Sequence, residues 1–145
     1  MSRERAVGWL TAALVLVGGY AVAMVVAAPV VSDLFEALGF GPRDGGVPAG
    51  AATDHVLFLQ GVLGAVVLGW VVLLLAVVRG PLRAGDPWAV RAISASVALW
   101  FVVDTGWSLA VGSWEHALFN GAFLALLAPP LVALSPRRSA ARPRT

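Results

Sequence analysis

The sequence contains no cysteine and very few charged residues. Without a thiol, the chain cannot form disulfides, thiolate zinc sites, iron–sulfur clusters, covalent c-type haem or a cysteine nucleophile. Only 12% of its 145 residues are charged and 59% are hydrophobic, whereas about 25% charged residues is typical of soluble domains. Because so little charge cannot cover a water-facing surface, we expect the chain to lie in a membrane.

Lysine is absent as well, because all ten basic residues are arginines. Together with the abundance of alanine, valine and glycine, this usage is typical of a GC-rich bacterial genome. The arginines lie in short clusters beside apolar segments, as topology determinants do, and no aromatic platform is interleaved with them. The composition therefore predicts the lipid bilayer as a partner and no nucleic acid.

Four apolar segments are long enough to cross a bilayer as helices, for which about 20 residues are needed. We predict spans over residues 7–28, 55–78, 88–111 and 114–134. The first span follows the basic start MSRER, as a signal peptide would, but its apolar run is longer than a signal core and favours an uncleaved helix. The predicted fold class is an all-α membrane protein, with four transmembrane helices in a compact bundle that forms one domain over residues 1–134.

The segments between the spans carry recognisable helix and loop signals. In PVVSDLFEALGFG the apolar residues recur at helical spacing, which predicts a short interfacial helix after the first span. The glycine- and proline-rich stretch GPRDGGVPAGAA predicts a loop. Thr53 or Asp54 is the predicted N-cap of the second span, and Asp86 followed by Pro87 begins the third. Residues 135–145 are predicted to be a basic, disordered cytoplasmic tail.

Two proline sites interrupt the helical pattern. Gly80 and Pro81 are predicted to end the second span. Pro129 and Pro130 are predicted to kink the fourth, because proline has no N–H and leaves carbonyls near Leu126 without a donor. A hydroxyl from a neighbouring helix could donate there, and a simple kink is the interpretation we favour.

Small residues recur four apart on three of the spans, a spacing that lets helix backbones approach closely. We therefore predict helix contacts along these strips. They are Gly19, Ala23 and Ala27 on the first span, Gly61, Ala65 and Gly69 on the second, and Ala117, Gly121 and Ala125 on the fourth.

The arginine distribution predicts the orientation in the membrane. Arginines beside the spans fall on one side of the membrane, with Arg43 as the exception. Since basic residues stay in the cytoplasm, we predict a multi-pass protein of the bacterial inner membrane with both termini cytoplasmic.

Asp104 is a carboxylate inside the apolar third span, where an ionised group costs about 2.5–3.5 kcal/mol. It lies near the outer end of the span, about 10 Å below the membrane surface at 1.5 Å per residue. Each other span has a hydrogen-bonding side chain at a similar depth, so we predict a polar cluster in the outer half of the bundle. The candidate ligand-binding residues are Asp104, Asn120, Gln60, Tyr20, Ser108 and Trp107.

Two interpretations of this cluster stay open. Interhelical hydrogen bonds are common in membrane proteins and worth about 0.6 kcal/mol each, so the cluster could serve only to hold the helices together. Ionisable groups inside membranes are, however, rare without a function. The cluster could therefore be a small outward-facing site for a ligand, proton or cation, or a contact with a partner subunit.

The sequence indicates metal, haem or peptidase chemistry only weakly. His55 and His116 lie at the starts of the second and fourth spans and are weak candidates for ligating a haem iron or a metal. Polar residues are common at such helix starts, and we predict no metal and no cofactor. Residues 104–106 spell the Asp-Thr-Gly tripeptide of aspartic peptidases, but those enzymes need two facing carboxylates. The other spans offer no second aspartate, so we predict no catalytic residue.

The layout resembles small bacterial four-helix membrane proteins of the broad DoxX-like kind. The similar stretches are FLQGVLGAVVLGWVVLLL, RGPLRAGDPWAVRA, SVALWFVVDTGWSLAVGSW and ALFN, spread over about the last two-thirds of the chain. Some DoxX-like proteins are associated with quinone-linked sulfur oxidation. The resemblance therefore implies a tie to membrane redox complexes.

We expect a small binding or accessory protein with a polar outer-leaflet pocket around Asp104. The pocket would hold a lipid, a quinone-like group or another small hydrophobic ligand, and Asn120, Gln60 and Tyr20 would orient the key hydrogen bond of Asp104. One alternative is a structural subunit that docks a membrane protein partner or a second copy of the chain. Another, which rests on the resemblance alone, is an accessory subunit of a membrane oxidoreductase.

Overall fold

The computed structural model describes residues 1–38 and 50–135. These residues form helices and no strand, so the all-α fold class is confirmed. The helices are α1 (Arg3–Val26), α2 (Ala28–Ala37), α3 (Ala51–Val77), which a π-helical turn (Val78–Leu82) continues, α4 (Pro87–Ala110) and α5 (Trp114–Leu134).

Four of these helices, α1, α3 with its π turn, α4 and α5, are long and apolar enough to cross a membrane. Many of their large apolar side chains, such as Leu16, Val66 and Leu99, are exposed on the surface of the bundle. An exposed apolar surface this extensive is unfavourable in water and favourable against lipid chains. The chain is therefore a multi-pass membrane protein.

Helix α1 is the centre of the bundle. It packs along α3 on one side and α5 on the other, and α4 packs against α5. Contacts between α3 and α4 are few, so the ring of helices is open between these two. One half of the bundle contains the N-terminus of α1 and the C-terminus of α5, and we call it the terminal half. The distal half is the opposite one, where α3 and α5 begin.

The apolar core lies in the terminal half. Its buried side chains come from the first half of α1, the second half of α3 with the π turn, the first half of α4 and the end of α5. They include Leu10, Leu14, Val71, Leu74, Val78, Leu82, Ile93, Val97, Leu127 and Leu131. Dense packing of these side chains closes the terminal half and leaves the space of the distal half to other groups.

Two side-chain hydrogen bonds also join helices in the terminal half. The Arg3 guanidinium donates to the carbonyl of Leu82 at 2.6 Å. The Trp9 indole N–H donates to the carbonyl of Leu126 at 3.1 Å. Leu126 lies four residues before Pro130, which has no N–H to donate to this carbonyl. A hydroxyl donor was the alternative to the simple kink that we favoured, and the donor to this carbonyl is an indole.

The starts of α1 and α3 lie closer to the N-terminus than the apolar pattern indicated. Helix α1 begins at Arg3 because the Ser2 hydroxyl accepts a hydrogen bond from the Arg5 N–H at 3.3 Å and caps the helix. Helix α3 has Gly50 at its N-cap, with φ +80°, and not Thr53 or Asp54. The glycine takes a backbone conformation that side chains disfavour, which allows the helix to start at Ala51.

The predicted stop at Gly80 and Pro81 is wrong, because the helical path continues through the π turn to Leu82. A π turn widens the helix locally and accommodates the missing proline N–H. The chain reverses at Gly85, which has φ +97°, and α4 then begins at Pro87 after Asp86 as predicted.

Helix α2 occupies the position of the predicted interfacial helix. It packs against α1 and α3, with Val31 buried and Asp33 and Glu36 exposed. The predicted loop after it, with Arg43, and the predicted basic tail after Ser135 lie outside the described residues.

The predicted strips of small residues are not the close contacts of the bundle. A Cβ added at Gly19, Gly61, Gly69 or Gly121 would meet nothing within 4 Å. The closest approach is instead at Gly64, where a Cβ would lie 2.8 Å from both the Ala21 carbonyl oxygen and the Met24 Cβ. On α3, the prediction therefore chose a face next to the one that packs against α1.

Gly64→Ala should lower the free energy of unfolding by about 1–3 kcal/mol, because the new methyl group would overlap the α1 backbone. Gly61→Ala is the matched control on the same helix. It adds the same methyl group to open space and gains helix propensity, so its stability should stay equal or rise. Denaturation in detergent micelles, followed by circular dichroism, measures both variants. Equal losses in the two variants would contradict this account of the α1–α3 contact.

Candidate functional site

A cavity of about 370 Å³ lies in the distal half of the bundle. Its size is within the range of small-molecule pockets, about 300–1,000 Å³. All four membrane-spanning helices contribute to its mostly apolar wall. The lining residues are Val17, Tyr20 and Met24 of α1, Leu63, Val66, Val67 and Trp70 of α3, Trp100 and Asp104 of α4, and His116, Phe119, Asn120, Phe123 and Leu127 of α5.

The floor of the cavity is a contact between α3 and α4. The Trp70 indole N–H donates to the Ser96 hydroxyl at 2.7 Å, and the rings of Trp70 and Trp100 lie 6.2 Å apart. Leu63 and Val66 line the cavity closer to the start of α3 and are still exposed. Since α3 and α4 have few contacts and the other neighbouring helices pack closely, we infer that the cavity opens sideways between α3 and α4, towards the surface that faces lipid.

A continuous series of aromatic rings surrounds the cavity. Phe119 and Phe123 of α5 meet edge to face at 4.8 Å, and Tyr20 of α1 lies 5.7 Å and 5.8 Å from them. Trp100 lies 6.4 Å from Phe123. Phe35 of α2 lies 5.2 Å from Phe119 and joins the series at the distal end. Aromatic pairs at these spacings stabilise their own arrangement, so the wall is held in place by its own contacts.

Two ionisable side chains face each other in the cavity wall. His116 Nε2 lies 3.7 Å from Asp104 Oδ1, and the two side chains are 38% and 37% exposed. At 3.7 Å the imidazole is near the carboxylate but beyond the length of a normal hydrogen bond. The carboxylate therefore stays available to a molecule in the cavity.

The remaining polar residues of the predicted cluster are occupied by structural bonds. The Asn120 side chain is only 2% exposed, and its Nδ2 donates to the Thr105 hydroxyl at 3.3 Å, which joins α5 to α4. Gln60 donates to the Ala28 carbonyl at 3.2 Å and ties α3 to the start of α2. The Ser108 hydroxyl donates to the backbone carbonyl of Asp104 at 2.8 Å.

The structure thus brings three of the six candidate residues to the cavity: Asp104, Asn120 and Tyr20. Gln60, Ser108 and Trp107 are not among its lining residues. Trp107 is 69% exposed and points to the surface of the bundle. Ser108 follows Asp104 by four residues and lies one turn beyond the last α4 residue that lines the cavity.

Sequence reasoning did not assign the cavity aromatics Phe119, Phe123 and Trp70 to the site. On α5 a signal was present, because His116, Phe119, Asn120 and Phe123 recur at offsets of three, four and seven residues, which is one face of a helix. Trp70 had no such signal, since its position depends on how α3 packs against α4.

The two histidines lie in different surroundings in the structure. His116 lines the cavity, whereas His55 is exposed near the start of α3 and is not among the lining residues. Among residues 1–38 and 50–135 there is no group of three or more His, Cys, Asp or Glu side chains arranged to hold a metal ion.

No family model matches the chain, and no curated protein or solved structure matches it significantly. The evidence for the candidate site is therefore the geometry of the cavity.

Asn120→Leu should lower the free energy of unfolding by about 0.6–1.7 kcal/mol, because it removes an interhelical hydrogen bond. Asp104→Asn changes a cavity-facing group of the same shape and should leave stability unchanged or slightly raised. Unfolding of both variants in mixed micelles of increasing dodecyl sulfate content measures the difference. If Asp104→Asn is the more destabilised variant, the carboxylate belongs to the structural bonds and not to an open site.

Proposed function

We propose that this chain is a small binding or accessory protein of the bacterial inner membrane, and that its distal cavity holds a small lipophilic molecule against Asp104. The observation that carries the proposal is the Asp104–His116 pair, more than one-third exposed in the wall of an aromatic cavity. Unfilled space and ionisable groups are both unfavourable inside a membrane protein. A bound ligand offsets both costs at once.

The cavity suits a ligand with one polar end and an apolar body. The polar end meets Asp104 and His116, and Tyr20, which lines the same cavity, contributes its hydroxyl group. Asn120 keeps α5 in register with α4 through Thr105 and so fixes His116 relative to Asp104. Gln60 acts further away, through the start of α2. The apolar body lies among Phe123, Trp70 and Trp100.

The opening between α3 and α4 supports entry of the ligand from the bilayer. A lipophilic molecule is concentrated in the lipid phase, and the exposed side chains of Leu63 and Val66 form an apolar entrance at that side. A lipid, a quinone-like group or another small hydrophobic molecule fits this route. The proposed DoxX-like relationship, which rests on the layout of the chain, agrees with a quinone-like ligand.

The proposed orientation puts both termini in the cytoplasm and the cavity in the outer leaflet. The arginines at the terminal end support it, because Arg3 and Arg5 of α1 lie at the same end as Arg79 and Arg83. Among the described residues the arginines lie at or within about one turn of this end, in accord with the positive-inside rule.

Native mass spectrometry of the protein released gently from its own membrane tests the binding function. We expect a bound small molecule on the wild-type chain that is lost from Asp104→Asn, with both proteins folded. A bare chain in both cases would contradict the proposal. A stable protein partner of defined mass in both would favour the alternative, a structural subunit of a larger membrane complex.

Single cysteines test the orientation without background labelling, because the natural chain has none. Asp54→Cys at the distal end should react with a membrane-impermeant maleimide added to spheroplasts. Ser135→Cys at the terminal end should react only after permeabilisation. The opposite pattern would place the cavity in the inner leaflet.

A further inference from the structure

The cavity wall contains an acidic side chain and no arginine among the described residues that line it. The acidic residue is Asp104. His116 lies 3.7 Å away and is the basic group closest to it. The imidazole compensates the carboxylate charge only in its protonated form, and an unpaired charge is costly in surroundings of low dielectric.

The rest of the wall is rich in π-electron faces. Tyr20, Trp70, Trp100, Phe119 and Phe123 line the cavity and come from all four membrane-spanning helices. Phe119 and Phe123 cross at 88°, and Trp100 and Phe123 cross at 83°. In such an edge-to-face pair the edge of one ring covers a single face of the other, so each ring keeps a face that this partner does not cover. A cation near such faces is attracted by the ring quadrupole, most strongly by tryptophan.

A carboxylate among several aromatic rings discriminates between ligand charges. An anionic ligand would be repelled by Asp104 and by the electron-rich ring faces. A neutral ligand can donate a hydrogen bond to the carboxylate but leaves its charge uncompensated. A cationic ligand satisfies the carboxylate by charge and the rings by cation–π attraction, while its apolar groups fill the remaining volume.

We propose that the ligand of this cavity is a lipophilic organic cation, an amine or quaternary ammonium with a compact apolar or aromatic body. This inference rests on the proposed binding function and names the ligand class of the same site. The ammonium group lies between Asp104 and the tryptophans of the floor, and the apolar body extends towards the opening between α3 and α4.

A pair of isosteric probes tests the charge selectivity. Benzyltrimethylammonium carries the cation, and neopentylbenzene has the same shape with carbon in place of the charged nitrogen. Each is titrated into the full-length protein in lipid nanodiscs, and the indole N–H resonances of Trp70 and Trp100 report binding. We expect the ammonium to shift these resonances in a saturable way and to bind at least about tenfold more tightly than the neutral probe, a difference of about 1.4 kcal/mol.

Asp104→Asn should weaken binding of the ammonium by about tenfold or more and leave binding of the neutral probe unchanged. Asp33→Asn is the matched control, because Asp33 is an exposed carboxylate on α2 that does not line the cavity. A second pair does not depend on the folding of the aspartate variant. Trp100→Leu should weaken ammonium binding, whereas Trp107→Leu, which removes an exposed tryptophan of the same helix, should not.

The outcomes separate the ligand class from the binding function. Equal affinity for both probes, unchanged by Asp104→Asn, would overturn the cation proposal while the cavity remains a binding site. Absence of saturable shifts with either probe would overturn the cation proposal, and native mass spectrometry would then decide the binding function alone. Selective ammonium binding that Asp33→Asn keeps and Asp104→Asn loses would support the proposal.

Discussion

The contact between Trp70 and Ser96 decides where this bundle is closed and where it is open. Helices α3 and α4 have few contacts with each other, and this hydrogen bond of 2.7 Å connects them. On its terminal side, small and branched apolar residues fill the core. On its distal side, the helices separate and aromatic residues line the space between them. The position of a single indole therefore sets the floor of the cavity.

Polar groups within the membrane-spanning helices divide into two kinds. Asn120, Gln60 and Ser108 each donate a hydrogen bond to a defined acceptor. Such bonds satisfy groups that lipid cannot satisfy, and they position the helices. Asp104 and His116 are different, because both remain more than one-third exposed in the cavity wall. The first kind supports the second, since the Asn120–Thr105 bond holds α5 against α4 beside the Asp104–His116 pair.

The same division explains which residues of the site could be predicted from the sequence. Depth along each span was enough to place Tyr20, Asp104 and Asn120 at one level, and all three line the cavity. Depth was not enough for Gln60 and Trp107, because the direction of a side chain around the helix axis also depends on the partner helix. Ser108 lies one turn beyond the last α4 residue that lines the cavity. The small-residue strip on α3 failed for a related reason, since Gly64 and not Gly61 or Gly69 meets α1.

The sequence by itself determined the environment and the number of spans. Long apolar runs and scarce charge are properties of composition, and the start of α4 at Pro87 after Asp86 follows from residues that act locally. Only the tertiary structure decided the order of the helices around α1, the opening between α3 and α4, and the aromatic cavity that meets Asp104. Those features depend on which faces of distant helices pack together. In a helix that is apolar on every side, the sequence does not mark that face.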